Sequence, residues 1–208
     1  LRRLPNVSSF EHSDTSRFSF FTKELWDGLY NDNQGYTVLF VPKYFDFVNL
    51  RTFLKNNNAQ VVFISEYSDK QQCQKSWHLY ETAQKPILVI TERAIVFQKI
   101  RLRYARNVVL YGLPESPDTL TDCLADLFSS ENWKPLLKSR LNAVKLNKEK
   151  THDQKLEETK LLLQEKHTQK CLVGLFSSFD ALALERFVGS AQFSKLIKTE
   201  AKDSFTFE

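Results

Sequence analysis

Lys99, Arg101 and Arg103 alternate with Ile100, Leu102 and Tyr104. A period of two sends charges to one side of an extended chain and apolar groups to the other. Arg93 precedes this run, Arg106 follows it, and no acidic residue lies between Glu92 and Glu115. Such a ribbon is suited to neutralising phosphates along an RNA backbone, with Tyr104 as a stacking ring. The same pattern equally describes a solvated edge whose arginines pair with nearby carboxylates, and the residues alone leave both readings open. A second basic patch places Lys134, Lys138, Arg140, Lys145, Lys148 and Lys150 against Glu149 alone. It reads as a solvated helix face or, on a projecting arm, as a partner-binding surface.

Other chemistry lacks its residues. Phosphate cradling by a P-loop needs glycines ahead of a Lys-Ser/Thr pair. The glycines here, Gly28, Gly35, Gly112, Gly174 and Gly189, precede no lysine and form no GxGxxG fingerprint. His12, His78, His152 and His167 share no metal-ligand spacing, and Cys73, Cys123 and Cys171 are odd in number, far apart and free of CxxC spacing. Each histidine is most simply a surface or interfacial residue. No catalytic residue, metal site, cofactor or small-molecule substrate is therefore expected, and the cysteines suit a reducing compartment. No apolar run approaches the roughly 18 to 20 residues that span a bilayer, and the first residues lack the apolar core of a signal peptide, so no membrane partner is expected.

The elements that would position these groups alternate along the chain. Thr37 to Val41, Val61 to Ile64, Ile87 to Ile90 and Val108 to Tyr111 are short, β-branched or aromatic runs of buried-strand type. Helical spacing predicts Arg17 to Tyr30 (Phe18, Phe21, Leu25, Leu29), Lys43 to Asn56 (Phe45, Val48, Leu50, Leu54), Asp69 to Thr82, and a helix from Ser116-Pro117-Asp118 to about Phe128. After a charge-rich helical stretch from Asn132 to His167, Lys170 to Phe176 reads as a fifth strand. Helices at Asp180 to Arg186 and Ser190 to Thr199 and a short strand at Ser204 to Phe207 follow. This alternation predicts an α/β fold, an open and mostly parallel sheet flanked by helices. The expected organisation is an irregular leader at 1–16, an α/β domain at 17–130, a charged helical insertion or arm at 131–168, and a return at 169–208 that completes the domain. The strands at either end of Pro86 to Pro114 are expected at the centre of the sheet. Ser65-Glu66-Tyr67 and Thr91-Glu92-Arg93 fall at carboxyl ends of predicted strands, where open α/β sheets bind ligands, although strand ends carry polar residues in any case.

Composition sets looser bounds. The 208 residues are 42% hydrophobic and 26% charged, with a net charge of +4. That describes a globular chain whose mild basicity permits nucleic-acid or acidic partners without demanding them. The start at Leu1 and the lack of any methionine are expected of a piece of a longer protein.

Taken in order, TVLFVPKYFDFVNLRTFLK, VVFISEYSDK, ILVITER, NVVLYGLPESPD and FSSFDALALERFVGS resemble the C-terminal region of the digestive organ expansion factor family, also called U3 small nucleolar RNA-associated protein 25. The landmark residues are Ser65, Glu66 and Tyr67; Thr91, Glu92 and Arg93; and Tyr111, Gly112, Leu113 and Pro114. The resemblance implies a fold like the second RecA-like domain of superfamily 2 helicases. It also implies a nucleolar component of the small-subunit processome, acting in pre-rRNA processing toward 18S rRNA and the 40S subunit. Its implied partners are processome proteins and pre-rRNA or U3 small nucleolar RNA. A helicase of this class carries an arginine finger in an HRxGRxxR pattern on the helix that here spans Pro117 to Phe128. No Lys or Arg occurs from Asn107 through Trp133, and charge on a transferring phosphoryl group needs a cation there. TERAIVF also lacks the glycine and aspartate of the helicase coupling loop. The resemblance thus implies a pseudo-helicase, non-enzymatic, with the C-terminal half of an active ATP-dependent RNA helicase as the alternative.

Overall fold

A computed structural model describes residues 1–5, 7, 9–31, 36–82, 84–100, 105, 107–128, 151, 153–157, 160, 171–198 and 204–205. Its strands are β1 (Arg2–Arg3), β2 (Thr37–Val41), β3 (Val61–Ile64), β4 (Ile87–Thr91), β5 (Asn107–Leu110) and β6 (Cys171–Phe176). They form one sheet in the order β1-β6-β5-β2-β4-β3, and every pairing between them is parallel. Residues of β2 are buried without exception, as are those of β4, which is why both read as continuous apolar runs rather than alternating ones. Val38 lies opposite Leu88 and Val108, and Phe40 opposite Ile90 and Leu110. The ends of Pro86 to Pro114 therefore contribute the two neighbours of β2, and β2 itself takes the place between them.

Alternate side chains divide the sheet into two cores. Val38, Phe40, Ile64, Leu88, Ile90, Val108 and Leu110 meet Tyr80 of α4 (Lys70–Glu81), Ala94 and Ile95 of α5 (Glu92–Gln98), and Leu120 of α6 (Pro117–Phe128). Leu39, Val41, Val89, Val109, Tyr111 and Leu175 meet the opposite layer. That layer holds α1 (Ser13–Phe20), a π-helical turn at Phe21–Leu25, α2 (Trp26–Asn31) and α3 (Tyr44–Asn56). A third cluster of Leu113, Phe176, Leu184 and Leu196 docks α7 (Ala181–Val188) and α8 (Ser190–Lys198) beyond β6.

Local chemistry sets several helix starts. Asp69 accepts the Gln72 N–H at 2.7 Å, and Thr91 accepts the Ala94 N–H at 3.3 Å. Ser177 and Asp180 form a capping box, each cap satisfying backbone donors that a helix leaves open.

Three expectations need correction. The leader at 1–16 holds β1 and the start of α1: Arg2 and Arg3 pair with Leu175 and Phe176, and the Leu4 N–H donates to the Phe176 carbonyl at 2.8 Å. Two residues carry no periodicity, so only the distant partner strand makes this segment a strand. In α3 the buried stripe is Phe47, Leu50 and Leu54, while Phe45 is 71% exposed and Val48 also faces water. The N-terminal layer covers one side of α3 only, which rotates the buried stripe away from Phe45. No helix is expected between Ile90 and Val108, yet Thr91 caps α5 and Glu92–Gln98 is helical. Of the strand expected at Ser204 to Phe207, Ser204 forms an antiparallel bridge to Arg2, and 206–207 lie outside the described residues. The proposed arm lies almost wholly outside the described residues, of which 153–157 are helical.

Leu110 is fully buried under α6. Leu110→Ala is expected to cost about 2–4 kcal/mol through the cavity it leaves, measured as a fall in the denaturation midpoint with an unchanged slope.

Candidate functional site

The connection leaving β2 crosses to the α3 layer, whereas those leaving β4 and β5 cross to the opposite layer. Adjacent strands with oppositely directed connections open a crevice at their carboxyl ends, the usual ligand position in open α/β sheets. Here α1 fills it. The Arg17 guanidinium donates to Asp180 Oδ2 at 2.8 Å and to Asp14 Oδ1 at 3.3 Å, with a side chain only 4% exposed. Lys43, just beyond β2, donates to the same Asp14 carboxylate at 3.0 Å. Asp180 also accepts from the Ser177 N–H and hydroxyl, tying the end of β6 into the network. A Cβ placed on Gly112, just past β5, would meet Pro42 Cγ at 3.3 Å and Arg17 Nη1 at 3.8 Å. The glycine lets α1 and the β2 turn approach that closely.

Asp46, in the first turn of α3, lies buried beside this network. Burial pushes its carboxyl up to about 6, Asp14 adds to the rise, and Arg17 and Lys43 oppose it. Tyr111, raised far above its ordinary value mainly by burial and next by Asp46, packs edge-on to Phe21 with centroids 5.6 Å apart.

The other landmark residues meet on the far side of β2. The Thr91 hydroxyl donates to Glu66 Oε2 at 2.7 Å, and the Gln98 amide donates to the carbonyls of Ser65 and Ser68 at 3.2 and 3.1 Å. Glu92 accepts the N–H groups of Glu115 and Ser116 at 2.9 and 2.8 Å. Burial holds its carboxyl above the usual range, against the pull of those two bonds. These contacts clamp the loops after β3, β4 and β5 to one another. Tyr67 stands 71% exposed at the rim, its ring 4.7 Å from that of Tyr44.

Of the basic candidates, Arg93 is exposed on the first turn of α5 and Lys99 is exposed at its end, in the left-handed region with φ 49°. That turn takes Lys99 out of the extended alternation expected for the ribbon. Arg101, Arg103, Tyr104 and Arg106 lie outside the described residues, as do Lys134, Lys138, Arg140, Lys145 and Lys148. His12 is exposed and shares a 2.6 Å hydrogen bond with Ser9, and His78 is exposed on α4. No group of acidic, histidine and cysteine side chains able to hold a metal occurs among the described residues, and no described helix is long and apolar enough to cross a membrane. Sequence reading missed the Arg17 network. Its signal was Ser13, Arg17, Phe21 and Leu25 at steps of four, which puts an arginine on the buried stripe.

With Glu66, Thr91 and Glu92 joined through β3, β4 and the loop after β5, and Gly112 packed at the crevice, the quoted segments form one structural unit. The family model described as Utp25, C-terminal domain matches residues 1–207. The chain belongs to this family. Among curated relatives it is 26% identical over 202 residues to Protein NUCLEOLAR FACTOR 1 of Arabidopsis thaliana, covering 97% of this chain and 22% of that one. It is 30% identical over 210 residues to U3 small nucleolar RNA-associated protein 25 of Neurospora crassa, covering 97% and 24%. The chain thus spans about a quarter of the length of these relatives. Among solved structures it is similar to the C-terminal part of the Fun30 ATPase domain, with TM-score 0.54 and 11% identity over 93% of this chain and 47% of that one. It is also similar to a DEAD box protein from Methanococcus jannaschii, with TM-score 0.53 and 12% identity over 89% and 38%. These likenesses show a RecA-like fold.

Arg17→Ala strands the partly buried Asp180 and is expected to cost about 3 kcal/mol, read from equilibrium unfolding. Asp46 binds its proton more tightly folded than unfolded, so its contribution to stability falls as pH rises from about 4 through 6. Asp46→Asn should be more stable than wild type at pH 7, with the gap closing toward pH 4; a gap independent of pH would refute the assignment.

Proposed function

We propose that this domain is a non-catalytic, helicase-like scaffold of the nucleolar small-subunit processome. It acts in pre-rRNA processing, toward 18S rRNA and 40S subunit biogenesis, as a ribonucleoprotein component that binds pre-rRNA or U3 small nucleolar RNA, processome proteins, or both. The names of its relatives support the process and the nucleolar location.

One observation carries the non-catalytic reading: Arg17, Asp14, Asp180 and Lys43 fill the crevice at the end of β2 with an internal ion-pair network. A nucleotide phosphate entering there would meet two carboxylates and a guanidinium already engaged. The lack of Lys or Arg from Asn107 through Trp133 supports the same reading, since α6 then offers no cation to a transferring phosphoryl group. RNA or protein contact is assigned to Arg93, Lys99, Arg101, Arg103, Tyr104 and Arg106, and to Lys134, Lys138, Arg140, Lys145 and Lys148.

The RecA-like fold favours a second reading, in which the domain is half of an active ATP-dependent RNA helicase. Full-length protein supplied with RNA is expected to show no ATP turnover above background. Turnover abolished by mutating a P-loop elsewhere in the protein would overturn the scaffold reading. Reversing Arg101 and Arg103 to Glu is expected to leave the fold intact and weaken association with the pre-ribosomal particle in a salt-dependent way. Unchanged association at low salt would return the ribbon to a solvated edge.

A further inference from the structure

Between α4 and the end of α5 lies a cavity of about 530 Å³, lined by Ile64, Cys73, Gln74, Trp77, His78, Glu81, Lys99 and Ile100. Its size is that of a small-ligand pocket, with an apolar floor and a few polar groups at the rim. Trp77 is half-buried, and its indole N–H donates to Glu81 Oε1 at 2.8 Å. That bond and the neighbouring Tyr80 ring, centroids 5.7 Å apart, hold the indole in place. Lys99 takes a left-handed backbone conformation that costs a non-glycine residue, and its side chain lines the same cavity. In sequence Lys99 opens the run with Arg101 and Arg103.

We propose that this cavity takes one unstacked base of single-stranded RNA. The inference rests on the RNA-contact reading above and adds to it a place for a base. Three observations favour a nucleobase over a protein side chain. A rigid indole offers a flat stacking partner for any base. Glu81, Gln74 and His78 offer the acceptors and donors that read a base edge. Lys99, which lines the cavity, offers a positive charge suited to a sugar-phosphate backbone. Base-aromatic stacking sets the scale at about 1–3 kcal/mol per base, roughly 5- to 150-fold in affinity.

The test uses full-length protein and three seven-residue strands: ordinary single-stranded RNA, an abasic ribose-phosphate strand, and the abasic strand carrying one central base. The single base is expected to raise affinity about tenfold over the abasic strand, and Trp77→Ala to remove that gain while leaving abasic-strand binding unchanged. Gln74→Trp, which fills the cavity from an exposed position, should remove the gain in the same way without depending on the buried side of Trp77. Equal binding of the two abasic strands to wild type would overturn the base pocket and leave backbone contact standing. A base gain that survives both substitutions would place the base elsewhere and overturn the assignment. Failure of all three strands to bind would overturn the RNA-contact reading together with the pocket.

Discussion

Strand β2 is hydrogen-bonded on both edges and buried on both faces, and the rest of the domain follows from satisfying it. Its N–H and C=O groups find partners only if β4 and β5 flank it in parallel, because an unpaired backbone group at that depth costs as much as a lost hydrogen bond. Its side chains need a helical layer on each side, and the connection leaving it goes to one layer while those leaving its neighbours β4 and β5 go to the other. That divergence opens the crevice at its carboxyl end.

An internal ion-pair network occupies the crevice. Desolvating a guanidinium is costly unless carboxylates meet it, and Arg17 has Asp14 beside it on α1 and Asp180 beyond β6. The network joins segments more than 160 residues apart in sequence, so α1 is held to the return of the chain as well as to the sheet. On the other flank of β2, Glu66, Thr91, Glu92 and Gln98 turn their polarity inward to fix loops. Landmark residues that look reactive in sequence act as clamps, because the polar groups within reach are those of the chain's own loops.

The legibility of the site divides at the same boundary. Ser65-Glu66 and Thr91-Glu92 were placed correctly at strand ends, since a buried parallel strand has an unmistakable apolar run and a definite end. Their pairing across β3 and β4 was not readable, because register between distant strands leaves no trace in spacing. Arg17 was hidden for a related reason: one charged residue on an otherwise apolar helical stripe looks like an error in phase until its distant partner is known. The cavity at Trp77 joins α4 to the last turn of α5, two helices whose proximity is set by the sheet between them.

By itself the sequence determined the α/β class, the order of the main strands and helices, and the family, because burial on two faces writes itself as short β-branched runs and several helix starts carry a local cap. Tertiary structure alone decided three things: that the first residues form an edge strand, that Phe47 rather than Phe45 faces the core, and that the crevice is closed by an arginine from α1. Each of those depends on a surface contributed from far along the chain, and local periodicity records only the neighbours within a turn or two.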